Sequence, residues 1–282
     1  IADVYSCMYP DLEQIRRLLA DGRERRPIMM CEYAYAKGNS TGNFFKFWDM
    51  VDAYPRFQGG CVWDWHDKAI LHTTADGRPY YAYGGDLGDD FDYARFYQEN
   101  EDPQMCCNGV VGPDLSPHPG AFEIKKIQAP VGFYVEGWQG FTPGQDINRG
   151  EITLWNKYQF LDLAHLALHW ELVEDGQVIQ TGVVPTPDLP AGAREALAIP
   201  FVAPEQPRPD AEYFLNVRMR LKAATTWADG GHEVAWEQFL LRLPVPSRAA
   251  GERAPKPAHP QTGLAAITLR ETGDSICVDG AD

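Results

Sequence analysis

Residues 27–31 read PIMMC, a continuous apolar run, and the carboxylic acid Glu32 follows it directly. Such a run without polar alternation predicts a strand that is buried on both sides, as in a parallel sheet. Residues 1–8 predict a preceding strand, and Asp11 with Gln14 predicts a capping box at the start of the helix between the two strands. The first third of the chain therefore begins with a β-α-β unit.

A second crossover follows the first. Ser40 or Thr41 is predicted to cap a helix, and residues 59–63 (GGCVW) return as a third strand. The apolar residues with helical spacing are Phe44, Phe47, Trp48 and Val51. Three parallel strands would leave open edges, so we expect them to belong to a larger α/β sheet or barrel. We also expect the chain both to start and to stop within a larger structure.

Beyond residue 65 the sequence pattern changes from loop-like to strand-like and then to that of a linker. Residues 66–118 are loop-like, and residues 120–128 predict a closing helix. From residue 129 apolar residues alternate at period two, which predicts a β-sandwich of about seven strands over residues 129–243. Residues 244–262 indicate a Pro- and Ala-rich linker. The last segment, 263–282, predicts one further strand pair, which is too short to form a domain.

Composition excludes several classes of function. The 282 residues carry a formal net charge of -15, which disfavours binding to nucleic acid or to an anionic membrane. No apolar run reaches the length of about 18 residues that a membrane helix needs. The six cysteines form no CxxC pair, so we expect neither a zinc site nor a disulfide scaffold. Reduced thiols favour a cytoplasmic over a periplasmic location.

Glu32 is the main candidate for chemistry, because catalytic groups of β/α barrels lie at the carboxyl ends of the strands. Tyr9 ends the preceding strand, and Trp63 and Trp65 end the following one, so an acid, a phenol and an indole are expected at one rim. Alternation along a strand predicts that only one of the two tryptophans faces this site. Aromatic faces beside a carboxylate suit a sugar. The alternative is a solvated or ion-paired glutamate at a strand end.

Several ordered segments resemble the long bacterial β-galactosidases of glycoside hydrolase family 2. They are residues 26–40, 54–65, 83–89 and 107–110, together with matches near residues 117–119 and 226–236. The resemblance implies that residues 1–128 form the last three strands of a TIM (β/α)8 barrel. It further implies that residues 129–243 are an immunoglobulin-like sandwich and that residues 263–282 begin a further, C-terminal β-domain.

The resemblance also implies roles for residues. Family members are retaining enzymes with two carboxyl groups, and their nucleophile falls on Glu32. Met8 and Tyr9 would lie against it, with Tyr9 donating a hydrogen bond to Glu32, and Trp63 would be the platform for the galactosyl ring. The acid/base glutamate would lie upstream of this chain, so we expect the chain alone to be inactive. Asn100-Glu101 matches the acid/base dipeptide, but its polar context predicts a solvated loop pair.

Cofactors and sugar preference follow from the same resemblance. Asn108 and the backbone carbonyl of Met105 resemble ligands of a sodium ion, while the magnesium ligands would lie outside this chain. Tyr35 stands where the family usually has a histidine that touches the sugar, which puts the preference for galactose in doubt. We therefore expect a β-galactoside or related oligosaccharide as substrate and a homo-oligomeric parent enzyme. A β-mannosidase, a β-glucuronidase and a non-catalytic carbohydrate-binding fragment remain alternatives.

Overall fold

The structure is a computed structural model that describes residues 2–88, 106–135, 146–147, 150–243, 268–272 and 275–279. It divides into two compact units. The first comprises Ile1–Ala203 and Asp210–Leu243, and the second comprises Pro204–Pro209 and Pro244–Asp282. The helices described have at most nine residues, and none is long and apolar enough to cross a membrane.

The first unit begins with the predicted parallel sheet. Its strands are β1 (Tyr5–Met8), β2 (Ile28–Tyr33) and β3 (Phe57–Val62), hydrogen-bonded in that order. Helix α1 (Leu12–Ala20) connects β1 to β2, and α2 (Phe45–Ala53) connects β2 to β3. Two successive β-α-β crossovers therefore bring the carboxyl ends of all three strands to one edge.

The core of this segment lies on one face of the sheet. It is built from the side chains of Ile15, Ile28, Met30, Tyr33, Phe44, Met50, Phe57 and Ile127. The sequence predicted a strand buried on both sides, but Cys31 on β2 is exposed. The difference arises because the helices cover one face, and the described residues place no second layer over the other. A glycine at position 60 is required for close packing, since a Cβ there would lie 2.6 Å from the Cβ of Met30.

The capping box predicted for α1 is confirmed. The side chain of Asp11 accepts a hydrogen bond from the backbone N–H of Gln14 at 2.6 Å, and the Gln14 side chain accepts one from the N–H of Asp11 at 2.9 Å. Two N–H groups that the helix leaves unpaired are thus satisfied.

The cap predicted for α2 is wrong. The helix starts at Phe45, and Phe44 occupies the N-cap position without a side-chain hydrogen bond. Turns occupy the preceding residues. Thr41 is buried against Gly120, where a Cβ would lie 2.7 Å from the Thr41 hydroxyl oxygen. Burial against a neighbouring segment therefore replaces the capping role that the residue type suggested.

The segment predicted to be loop-like contains a hairpin. Strands β4 (Ile70–Thr73) and β5 (Pro79–Ala82) pair antiparallel around a turn with Gly77 at φ 88°. The predicted closing helix is present as α3 (Pro119–Ile127). Its proline lies in the first turn, where the missing N–H costs no hydrogen bond.

Two β-sheets with a common core form the rest of the first unit. The strands are β6 (Val131–Tyr134), β7 (Asp146–Ile147), β8 (Glu151–Asn156), β9 (Leu166–Glu174), β10 (Gln177–Val184), β11 (Arg194–Ala198), β12 (Tyr213–Leu221) and β13 (Glu233–Leu241). One sheet has the order β10-β9-β12-β13-β7 and the other has β11-β8-β6. Alternating burial on β9 and β12 places leucines of both strands in that core, as the period of two predicted.

In the second unit, β14 (Thr268–Thr272) and β15 (Ser275–Asp279) form an antiparallel pair, as predicted. The predicted linker, residues 244–262, lies outside the described residues. The boundaries proposed from the sequence at residues 128 and 243 stay predictions.

Candidate active site

Glu32 and Tyr9 are joined twice at the carboxyl edge of the parallel sheet. The backbone N–H of Tyr9 donates to the carbonyl of Glu32 at 2.9 Å, and the Tyr9 hydroxyl group is hydrogen-bonded to the Glu32 carboxylate. Met8 is the register partner of Glu32 and is 62% exposed. Tyr9 adopts a left-handed conformation with φ 46°, which turns the chain back toward β2 at the end of β1. The structure thus brings together three residues that the sequence nominated.

The phenol of Tyr9 is held in its protonated form. Burial raises the pKa of Tyr9 far above its ordinary value of 10, and the neighbouring Glu32 carboxylate raises it further. A phenol that keeps its proton donates to a carboxylate, which can only accept when it is ionised. Tyr9 is therefore the donor and the Glu32 carboxylate the acceptor, and this hydrogen bond holds the carboxylate in place.

The segment after β3 forms one wall of an open cleft. The cleft is lined by Cys31, Glu32, Cys61, Val62, Trp63, Asp64, Trp65, His66 and Lys68. Trp63 is anchored by its main chain, which accepts from the N–H of Ala36 at 2.8 Å and donates to the carbonyl of Tyr33 at 3.2 Å. Trp63 and Trp65 both line the cleft, and β3 ends at Val62, before either of them. That only one of the two tryptophans faces the site stays a prediction.

A second loop, residues 106–111, is joined to this wall mainly through main-chain atoms. The N–H of Asp64 donates to the carbonyl of Asn108 at 2.8 Å, and the N–H of Val110 donates to the carbonyl of Asp64 at 3.0 Å. The N–H of Lys68 donates to the carbonyl of Cys106 at 2.6 Å. These bonds fix Asn108 beside the cleft.

Asp67 also joins the segment after β3 to the loop of residues 106–111. Its buried carboxylate accepts from the N–H of Gly109 at 2.7 Å, and the Nε2 atom of His118 lies 3.5 Å from its second oxygen. The Nδ1 atom of His118 lies 3.1 Å from the carbonyl oxygen of Gly109. A Cβ at Gly109 would lie 2.2 Å from the backbone nitrogen of Asp67. The two segments therefore approach as closely as a glycine permits.

The side chain of Asn108 is fully buried and bonded at both ends. Its Nδ2 donates to the hydroxyl oxygen of Tyr35 at 3.1 Å, and its Oδ1 accepts from the ammonium of Lys68 at 3.3 Å. The ring of Tyr35 meets that of Tyr9 edge-on, with centroids 6.3 Å apart. Contacts therefore run from Glu32 through Tyr9 and Tyr35 to Asn108.

Lys68 and Asp64 are the site residues that sequence reasoning missed. Lys68 forms an ion pair with Asp64, and its ammonium lies 5.1 Å from the ring centroid of Trp63. Asp64 directly follows Trp63, and Lys68 lies four residues after Asp64. Their closeness in sequence to Trp63 is the signal that could have nominated both residues.

The sodium ion expected at Asn108 stays a prediction. The Asn108 oxygen already accepts from an ammonium, and the nearby Asp64 carboxylate is paired with the same ammonium. No cluster of three or more His, Cys, Asp and Glu residues suited to a metal occurs in the described part of the chain. Met105, the other predicted ligand, lies outside the described residues, as does Glu101.

Comparison with known proteins assigns the two parts of the chain separately. Residues 1–133 match the TIM barrel domain of the glycosyl hydrolases family 2, and residues 152–242 match domain 4 of beta-galactosidase. Beta-galactosidases of Photobacterium profundum and Priestia megaterium are 36% and 33% identical over 95% and 100% of this chain. One from Aeromonas hydrophila is 37% identical over 79% of it.

The chain spans between a fifth and a quarter of the length of these relatives: 23%, 24% and 20%, respectively. Among solved structures, a beta-glucuronidase of Parabacteroides merdae is 13% identical, covering 99% of this chain and 33% of its own, with a TM-score of 0.27. A score this low does not show a common fold.

Proposed function

Since the chain belongs to glycosyl hydrolase family 2, we propose that it is the part of a β-galactosidase that carries the nucleophile, Glu32. The reaction would be hydrolysis of terminal β-D-galactosides with retention of configuration. The observation that carries the proposal is the double link between Glu32 and Tyr9 at the carboxyl edge of the parallel strands, beside Trp63. Barrel enzymes place their reacting groups at this edge.

In the proposed reaction the Glu32 carboxylate attacks the anomeric carbon and forms a covalent glycosyl-enzyme. The Tyr9 hydroxyl group orients the attacking carboxylate, because it donates a hydrogen bond to it. A second carboxyl group about 5 to 5.5 Å away must protonate the leaving oxygen and then activate water. We place that group outside this chain, so residues 1–282 alone should lack turnover.

We assign sugar recognition to Trp63, which lines the cleft, and to Tyr35, which contacts Tyr9 and Asn108. Trp63 offers an indole face for the C–H groups of the galactosyl ring. By the family resemblance, Tyr35 stands where a histidine is usual, and its hydroxyl oxygen accepts a hydrogen bond from Asn108 Nδ2 at 3.1 Å. Because a phenol in that place is longer than an imidazole, Tyr35 is where a change in sugar preference would originate. Met8 supplies an exposed apolar contact beside Glu32.

Two sheets around one core support an immunoglobulin-like sandwich in residues 129–243. We expect the whole enzyme to be a homo-oligomer and its magnesium ligands to lie outside this chain.

A mechanism-based label tests the proposal directly. An activated 2-deoxy-2-fluoro-galactoside forms a glycosyl-enzyme that hydrolyses slowly, so peptide mass mapping of the whole enzyme should find the label on Glu32. A label on another residue would refute the assignment of the nucleophile. No label, together with retained sugar binding, would favour the non-catalytic alternative.

A panel of nitrophenyl glycosides tests the sugar separately. Turnover of the galactoside is expected to exceed that of the mannoside and the glucuronide. If another sugar is preferred, the galactosidase assignment fails while the mechanism stands.

A further inference from the structure

The ammonium group of Lys68 is surrounded by three electron-rich groups. It pairs with the Asp64 carboxylate, lies 3.3 Å from the Asn108 amide oxygen, and faces the ring of Trp63 at 5.1 Å from the centroid. A lysine ammonium has three N–H donors. A carboxylate oxygen, an amide oxygen and an aromatic face are all partners that favour a positive charge.

Carboxylate and amide oxygens are also the ligands that hard metal cations prefer. A monovalent cation bound to Asn108 Oδ1 would therefore lie within a few ångströms of the Lys68 ammonium. Two like charges at such a distance repel each other, and the single carboxylate of Asp64 neutralises only one of them. The ammonium and a sodium ion are thus alternatives for the same place.

Lys68 is held at this place by its main chain as well. Its N–H donates to the carbonyl of Cys106 at 2.6 Å, two residues before Asn108. The Asp64 N–H donates to the carbonyl of Asn108 itself at 2.8 Å. Lys68, its carboxylate partner and its amide partner therefore belong to one hydrogen-bonded junction.

We propose that Lys68 supplies the positive charge at Asn108 in place of a bound sodium ion, so that the site works without a monovalent metal. The inference rests on the proposed function, because it concerns the cleft that contains Glu32. It makes Lys68 a positioning residue: its charge holds Asn108, and Asn108 holds Tyr35 beside Tyr9.

The first test locates cations in the whole enzyme. Thallium(I), which replaces sodium or potassium in oxygen sites, is soaked into crystals and located by its anomalous signal. No peak is expected at Asn108 in the wild-type enzyme, and a peak there is expected in Lys68→Gln. A thallium peak on Asn108 in the wild-type enzyme would overturn the inference, even if Lys68→Gln does not fold.

The second test compares hydrolysis of nitrophenyl galactoside in sodium chloride and in choline chloride at equal ionic strength. Lys46 is an exposed lysine on α2, and Lys46→Gln serves as the control. The hydrolysis rates of the wild-type enzyme and of Lys46→Gln should differ by less than about twofold between the two salts. The rate of Lys68→Gln should be about fivefold or more lower in choline chloride than in sodium chloride. Equal dependence on sodium in all three enzymes would contradict the inference. If the wild-type enzyme hydrolyses no glycoside, the proposed function fails, and the thallium experiment still decides the role of Lys68.

Discussion

The Tyr9 hydroxyl group is hydrogen-bonded to the carboxylate of Glu32, and the backbone N–H of Tyr9 donates to the carbonyl of the same residue at 2.9 Å. The Tyr9 hydroxyl group therefore orients the carboxylate, and the main-chain bond holds the backbone of Glu32 beside Tyr9. A nucleophile held in this way loses little conformational freedom when it attacks.

Replacing Glu32 with Gln in the whole enzyme should lower kcat for a nitrophenyl galactoside by at least about 10³-fold, because an amide cannot form the glycosyl ester. Glu13→Gln is the matched control, since Glu13 lies on the exposed surface of α1 and should leave kcat unchanged. Steady-state rates and circular dichroism decide the outcome. Substantial turnover by a folded Glu32→Gln enzyme would disprove the assignment of Glu32 as the nucleophile.

Replacing Tyr9 with Phe should lower kcat by about 10- to 100-fold, which corresponds to the loss of one hydrogen bond to a charged group. The ring is kept, so the edge-on contact with Tyr35 survives. Single-turnover kinetics with a good leaving group should locate the loss in formation of the glycosyl-enzyme. An unchanged rate of that step would show that Tyr9 does not orient Glu32.

Replacing Gly109 with Ala should destabilise the protein by about 1 to 3 kcal/mol, the usual cost of an overpacked contact. The added Cβ would lie 2.2 Å from the backbone nitrogen of Asp67, so the loop that carries Asn108 must move. Gly22→Ala is the control, because no atom lies within 4 Å of a Cβ there. Urea denaturation measures the free energy of unfolding of both variants. Equal stability of the two variants would contradict the close approach.

Stability should fall as the pH rises from about 10 to about 12, and Tyr33 should contribute to this loss. Burial raises the pKa of Tyr33 to about 12, against an ordinary value of 10. Below pH 10 the Tyr33 hydroxyl group keeps its proton in both the folded and the unfolded state. Between pH 10 and 12 the unfolded state loses this proton first, which favours unfolding. The slope from this one group reaches at most about 1.4 kcal/mol per pH unit.

The variant Tyr33→Phe removes that ionisation and keeps the ring stacked on Phe44. Urea midpoints measured from pH 9 to 12 should therefore fall less steeply for Tyr33→Phe than for the wild-type protein. Tyr54→Phe, a change at a residue that is 46% exposed, should leave the slope as in the wild-type protein. Parallel slopes for all three proteins would show that Tyr33 does not contribute.

Local patterns in the sequence predicted the features that depend on neighbouring residues. The capping box of Asp11 and Gln14 involves atoms three residues apart, and the structure contains it. The parallel strands and the place of Glu32 at a strand end followed from runs of apolar residues. The pairing of Tyr9 with Glu32 came only from the family resemblance.

Two of the features that sequence reasoning missed depend on contacts between distant segments, and one is a local hairpin. Thr41 has the residue type of a cap, but packing against Gly120 decides its place. The β4–β5 hairpin was missed although Asp76-Gly77 is a known turn signal between its strands. The role of Lys68 depends on Asn108, which is forty residues away along the chain. No pattern within a single strand or helix reports such a contact.

Most hydrogen bonds between residues 64–68 and residues 106–111 join main-chain atoms, so they do not depend on which side chains stand there. Side chains at Cys106 and Cys107, which are half-buried, can be exchanged while the N–H and carbonyl groups that join the two segments remain. A library randomised at these two positions should therefore contain many folded members.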